Sequence, residues 1–366
     1  MSIKTVILEG THEEMGYKYG QVMRAELSGA LNTLKDYFIT QNNMTYENMA
    51  EQASVFFKRY SFSYKFFLEG AAKGSGLSLD DMNILNGMET INVEADQQYK
   101  FLNIKHPVNV SACAFVYLPP EKTYSGSGLI GRNYDYGEPY GMIAENLTVT
   151  ILKESNSIPT AIISMPGQIY CPSCVNAKGL FMELNNGMPS GGYYDALDRQ
   201  SLLIDMLYIN QNSEDLTAIE KQLKATESDY SLIINTADKT EAKSFEFSTT
   251  LEMKTNFPLN NEAFVSTNYF QNASWGNEIP VPTDETTWMG VTRHNNLQNL
   301  ATAQDIFNIS AFQTLMNTDI DHGGAFWEET IYQIIFDTFN HDLYLTRADF
   351  DNHSWTKISL AEHFEA

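Results

Sequence analysis

The spacing of hydrophobic and polar positions changes once along this chain, near residue 109. Before that point apolar residues recur at helical intervals. In GTHEEMGYKYGQVMRAELSGALNTLKDYF, Thr11 stands where a helix cap would, with Glu14 three residues on, the pattern of a capping box. Met15, Tyr19, Val22, Leu27 and Leu31 then fall roughly on one face. Gly16 and Gly20, one turn apart, leave a smooth groove where another backbone can approach. Further helical windows cover 46–60, 62–73 and 79–87, so residues 1 to about 105 read as helical.

Beyond residue 109 the period becomes that of strands. SACAFVYL is bounded by Pro119 and Pro120, and after a glycine-bearing turn Leu129 to Tyr136 folds back as a hairpin partner. On this second strand Arg132, Tyr134 and Tyr136 share one face and Asn133 and Asp135 the other, unless a bulge intervenes. Strands are also expected at 147–153 and 160–165. A further strand puts Leu180, Met182 and Leu184 on one face and Phe181, Glu183 and Asn185 on the other. Taken alone, Glu183 would face water. Helices at 196–208 and 216–226 precede strands at 231–235, 242–247 and 251–255 and a short strand ending in Thr267 and Asn268. A helix near 302–316 and strands at 330–337 and 342–346 close the chain. The pattern is α+β, and alternation alone does not choose among such folds.

Composition narrows the function. Twenty-three basic residues against 46 acidic ones give a net charge of −23, which repels nucleic acid and anionic membrane, so neither is an expected partner. The N-terminal stretch lacks the basic region, long apolar core and cleavage site of a secretory signal, and no run approaches 18 apolar residues. A cytoplasmic location is the expectation. The three cysteines make no disulfide framework. Cys171 and Cys174, in CPSC, are expected as reduced thiols in a turn, with a reversible disulfide left open, and no second ligand pair supports zinc. No metal and no cofactor is expected.

The chemistry concentrates in the hairpin. Cys113 heads its strand among the small residues Ser111, Ala112 and Ala114, and the return strand brings Arg132 and Asp135 close to the thiol. A strand cysteine is more often a small buried hydrophobe. Here, though, a cysteine at a strand start followed by Arg-x-x-Asp on the next strand resembles the nucleophile hairpin of N-terminal nucleophile hydrolases. The closer likeness is to the acyl-CoA:6-aminopenicillanic acid acyltransferase family (peptidase family C45), with choloylglycine hydrolases and penicillin V acylases as cousins. The opening GTHEEMGYKYGQ resembles the start of such chains, and NAKGLFMELNN resembles their N-x-x-G-L strand, whose amide lines the site at Asn185 or, one residue on, Asn186. STNYF resembles their TNHF, placing Asn268 as the oxyanion amide. Thr292-Arg293 resembles their S-x-x-R element, and IIFDTFNHDLYL their closing strand pair, so the likeness runs nearly end to end.

The resemblance implies a four-layer αββα sandwich with an N-terminal helical pro-segment. Residues 1–112 would be that pro-segment and 113–366 the catalytic domain, the two staying associated after cleavage. It implies that Cys113 attacks the carbonyl of Ala112 and frees its own α-amine. That amine, with a reference pKa of about 8 beside a thiol of about 8.5, can take the thiol proton without a histidine. Arg132 would favour thiolate, Asp135 would hold the amine, Asn268 and Asn185 would stabilise the oxyanion, and Arg293 would brace the site. Tyr134, Glu183, Asn186 and Tyr269 are candidates for substrate contact, Glu183 favouring a cationic leaving group. Tyr136, Tyr170, Tyr193, Tyr194 and Trp275 are further candidates for an aromatic pocket.

The expected reaction is hydrolysis of a linear, nonpeptide amide of a small molecule. Acyl transfer from a thioester donor, a catalytically silent binding protein on the same scaffold and a Cys-His protease stay open, as does a homo-oligomer. Two features depart from the family pattern: Ala114 stands where Thr or Ser is usual, and the spacing from Cys113 to Arg132 is a few residues longer than in bile-salt hydrolases.

Overall fold

The computed structural model describes residues 3–88, 91, 111–192, 202–229, 231–258, 261–348 and 354–365. In chain order the main elements are β1 (Lys4–Gly10), α1 (His12–Val22), α2 (Arg24–Asp36), α3 (Tyr46–Arg59), α4 (Phe62–Ser75), α5 (Leu79–Asn86), β2 (Ser111–Leu118), β3 (Leu129–Tyr136), β4 (Thr148–Glu154) and β5 (Thr160–Ser164). Then come β6 (Ser173–Asn176), β7 (Phe181–Asn186), α6 (Leu202–Gln211), α7 (Leu216–Lys224), β8 (Leu232–Ala237), β9 (Ala242–Phe247), β10 (Lys254–Asn256) and β11 (Phe264–Ser266). The chain closes with α8 (Gly290–Thr302), α9 (Ile309–Asn317), β12 (Thr330–Asp337), β13 (Asp342–Arg347), β14 (Thr356–Ser359) and α10 (Leu360–Glu365). The fold is mixed α+β, and the chain divides into two units, residues 1–109 with 137–172 and residues 110–136 with 173–366.

The first unit opens on a strand, where the hydrophobic period suggests helix throughout. β1 pairs in parallel with β4, and β4 pairs antiparallel with β5. A parallel partner more than 140 residues away leaves no local trace in KTVILEG, which is why the strand is missed. α1 begins as its sequence dictates, with Glu14 N–H donating to Thr11 Oγ1 at 3.3 Å and Thr11 N–H to Glu14 Oε2 at 2.9 Å. The groove of Gly16 and Gly20 is filled by α4, which presents Gly70 and Gly74 in return. A Cβ on any of these four would clash with backbone of the opposite helix: Phe67 and Ala71 on one side, Glu13 and Tyr17 on the other. Tyr19, Tyr64 and Asn86, from α1, α4 and α5, each hold one backbone group of the 167–169 turn, at 2.8–3.0 Å.

The second unit contains two antiparallel arrays. β6, β7, β8, β9 and β10 pair in sequence, and the other sheet runs β11-β2-β3-β12-β13-β14. The hairpin register runs from Ser111 opposite Tyr136 to Leu118 opposite Leu129. Alternation then sorts the side chains of β2. Ala114, Val116 and Leu118 pack with Leu297, Ala301, Phe312 and Met316 of α8 and α9, while Phe115 on the opposite face meets Phe181 of β7 with ring centres 6.3 Å apart. The helix expected near 302–316 starts later, at Ile309, after a non-helical stretch over 303–308. α8 ends at Thr302, and Asn308 caps α9 by accepting from Ala311 N–H at 2.8 Å. Cys171 and Cys174 are joined in a disulfide, correcting the expectation of reduced thiols. Tyr193, Tyr194 and residues 196–201 of the expected helix lie outside the described residues.

Candidate active site

Cys113 is the third residue of β2, buried, and opposite Tyr134 in the ladder, while Ala112 is opposite Asp135. The strand's pleat sends the thiol to the face shared with Phe115. There Arg132, from β3, places Nη2 3.5 Å from the sulfur. The backbone of the same cysteine is gripped by side chains from other elements. Its N–H donates to Asn268 Oδ1 at 2.9 Å, and its carbonyl accepts from Arg293 Nη1 at 3.0 Å.

Asn268 follows the short edge strand β11. Its oxygen accepts from both Cys113 N–H and Arg293 Nη2 (2.9 Å each), and its Nδ2 donates to the Asn186 carbonyl at 3.1 Å, so its amide orientation is set by three partners. The nitrogen of Cys113 is thus held by Asn268, where the resemblance implies Asp135. Arg293 sits one turn into α8 and is fully buried. Its Nε and Nη2 donate to the Trp288 carbonyl at 3.2 and 3.1 Å, its Nη1 meets Asp135 Oδ2 at 3.1 Å, and the ring of Trp327 lies 5.5 Å from its Cζ. Trp288 and Met289 both have positive φ (51° and 60°), a conformation costly for large side chains, at the point where the chain turns the Trp288 carbonyl towards Arg293.

Asp135 accepts a second hydrogen bond at Oδ1, from Thr330 Oγ1 at 2.7 Å. Burial pushes its carboxyl above the usual range, against the opposing pull of Arg293 and Thr330. The same burial lowers the pKa of Arg293, against the pull of Asp135 and Cys113. Each ion makes the other tolerable in a dry setting.

Glu183, on β7, is fully buried and does not face water. It makes an ion pair with Arg132 Nη1 through Oε2 and a short hydrogen bond from Asn235 Nδ2 through Oε1. Arg132 Nη1 also donates to the Leu184 carbonyl at 3.0 Å. Asn185, two residues on and on the same face, has two settings for its amide. In one, Nδ2 donates to the Ser266 and Thr267 carbonyls at 3.3 Å. Rotated, it donates to Glu183 Oε2 at 3.1 Å and Leu184 O at 3.2 Å and accepts from Asn235 at 3.2 Å. Tyr134 stacks on Tyr332 with ring centres 4.6 Å apart and on Tyr136 at 6.1 Å.

Cys113, Arg132, Asp135, Asn268, Arg293, Glu183, Asn185 and the Asn186 carbonyl therefore form one connected network. Tyr269 stands apart from it in hydrogen bonding. Its ring meets His294 edge-on at 5.8 Å, and its phenol is pushed up to about 12 by burial and by Asp284 and Glu246. Trp275 packs under Phe270 and donates to the buried Glu246. Asn235, Thr330 and the Trp288 carbonyl are members of the network that sequence reasoning does not find. They are ordinary strand and loop positions, placed only by register and packing. Among the described residues no group of three or more His, Cys, Asp and Glu side chains could hold a metal ion, and no helix is long and apolar enough to cross a membrane.

No family model matches the sequence, and no curated protein matches it. Similar solved structures include a mutant conjugated bile acid hydrolase from Clostridium perfringens, with a TM-score of 0.50 and 12% identity over 68% of this chain and 93% of that one. They also include the Caenorhabditis elegans ortholog of N-acylethanolamine-hydrolyzing acid amidase, at TM-score 0.46 and 12% identity over 63% and 96%. At this identity the first likeness is one of fold. What the two share is a mixed α+β arrangement of two sheets with helices.

Proposed function

We propose that this chain is an autoprocessed cysteine amidohydrolase of the N-terminal nucleophile class, on a four-layer αββα sandwich, acting on a linear, nonpeptide amide of a small molecule. The observation that carries the reading is the pair of grips on one residue. The sulfur of Cys113 lies beside Arg132, while its backbone nitrogen and carbonyl are each held by a buried polar side chain, Asn268 and Arg293. A buried structural cysteine has no need of one guanidinium at its sulfur and another at its carbonyl.

In the precursor, Cys113 Sγ attacks the Ala112 carbonyl, the C–N bond between the two residues breaks as the nitrogen takes a proton, and water hydrolyses the resulting thioester to a carboxylate on Ala112 and a free thiol on Cys113. The freed amine stays on Asn268, and Asp135, fixed by Arg293 and Thr330, is the carboxylate partner of the ammonium that forms once the amine has taken a proton. The amine then takes the thiol proton, and sulfur attacks the substrate carbonyl. Amides from Asn268 and from Asn185 or Asn186 receive the developing charge, and the amine product leaves with the returned proton. Water completes the turnover. The acyltransferase-like (C45) lineage with 1–112 as pro-segment is the form we favour. Tyr134 and Tyr269 are proposed to contact the acyl group, and Asn186 to help frame the site. The test is a panel of N-acyl amides assayed with the purified chain and with Cys113→Ala. Release of amine by the former and not the latter is expected. Equal release by both would rule the mechanism out.

A further inference from the structure

We propose that Glu183 is a positioning residue. By pairing with Arg132 it aims that guanidinium at the Cys113 sulfur and offsets its charge, so that the thiol stays close in acidity to the amine it works with. This rests on the function proposed above and assigns Glu183 a role other than substrate contact.

Among the described residues Glu183 has side-chain partners in Arg132 and Asn235, with the rotated Asn185 amide in reach of Oε2. It is fully buried, one carboxylate oxygen is on Arg132 and the other on Asn235. β7 lies against β2 and β3 through Phe181, so the face that carries Glu183 and Asn185 is turned to the hairpin. Placing a carboxylate there is not a cheap way to hold Arg132, because a buried ion pair rarely repays its desolvation. The Leu184 carbonyl at 3.0 Å already supplies a neutral acceptor for Nη1.

Among the described residues, the charged and titratable groups around Cys113 include Arg132, Tyr134 and Asp135 from β3, Arg293 from α8 and Glu183 from β7, with Asn268 after β11. Asp135 and Arg293 neutralise each other on the backbone side. The sulfur therefore feels mainly the Arg132 and Glu183 pair. An uncompensated guanidinium would drive the thiol well below the amine. Such a thiolate is a poorer nucleophile, since nucleophilicity falls with pKa, and it gives the amine no proton to pass to the leaving group. Glu183 prevents that extreme.

The test measures the Cys113 thiol itself, by ultraviolet thiolate absorbance against pH, with Cys113→Ala as blank. Glu183→Gln removes the charge at nearly constant size and leaves one acceptor oxygen for Arg132, with the Asn235 amide turning to present its oxygen to the new NH2, and is expected to lower the thiol pKa by about one unit. The acid limb of the pH–rate profile should move down by the same amount. Glu183→Asp keeps the charge but draws it back, and should give a smaller shift in the same direction, which preserves the test if the Gln variant does not fold. An unchanged or raised thiol pKa in a folded variant would overturn the proposal. The titration does not depend on turnover. A shifted thiol in a chain that cleaves no amide would refute the proposed function and leave the role of Glu183 standing.

Discussion

Arg293 Nη1 reaches the carbonyl oxygen of Cys113 at 3.0 Å from a position 180 residues further along the chain. The same nitrogen is 3.1 Å from Asp135 Oδ2, so one guanidinium ties the start of β2 to the end of β3. Arg293→Met would strand the Asp135 carboxylate in a dry site. A loss of about 3–5 kcal/mol in urea unfolding is expected, with part of it recovered when Asp135→Asn is added.

Asn268 holds the Cys113 nitrogen and is held in turn by Arg293. Asn268→Ala should leave the protein folded at a cost of about 1–3 kcal/mol and lower kcat by roughly 10²–10³-fold, the effect of losing one oxyanion donor. Steady-state kinetics on fully matured protein would separate this from slow processing. A change confined to KM would point to substrate binding alone.

The four glycines between α1 and α4 are there for contact. Gly16→Ala or Gly74→Ala drives a methyl into opposing backbone, and a loss of about 1–3 kcal/mol or more is expected. Gly29 is the control. It lies in mid-helix with nothing within 4 Å of an added methyl, so Gly29→Ala should raise stability by about 0.5–1 kcal/mol. Thermal or urea unfolding distinguishes the two signs.

Burial, followed by the fields of Asp284 and Glu246, pushes the Tyr269 phenol up to about 12. An unfolded phenol titrates near 10. Its folded pKa is raised, so the stability it contributes is full below about pH 10 and is lost as pH rises through about 12. The fall in unfolding free energy across that window should be shallower in Tyr269→Phe than in the parent protein.

What was legible in the sequence follows from where the information is local. The hairpin is bracketed by Pro119-Pro120 and closed by a glycine turn, and its return strand falls within the expected bounds, as do β9 and β12, while β2 begins two residues ahead of Cys113, which was expected to head it. The capping box of α1 and the glycine groove are likewise local signals. β1 was hidden because its partner β4 is remote, and the break between α8 and α9 because residues 303–308 leave the helix to bridge Phe307 to the remote Thr123 before Asn308 caps α9. At the site, Cys113, Arg132 and Asp135 share one hairpin and could be seen together. Glu183 could not be placed, since a carboxylate between apolar residues faces water on an outer strand and a guanidinium on an inner one. Asn235 and Thr330 carry no local pattern, and only the pairing of β8 with β7 and of β12 with β3 brings them in.

The central claim is that Cys113 becomes the first residue of the working enzyme. N-terminal sequencing of purified, active protein tests it most directly. The account predicts two N-termini, one of them beginning Cys-Ala-Phe-Val, and no such second terminus in Cys113→Ala. An active preparation that remains a single 41.4 kDa chain with Cys113 still internal would contradict it.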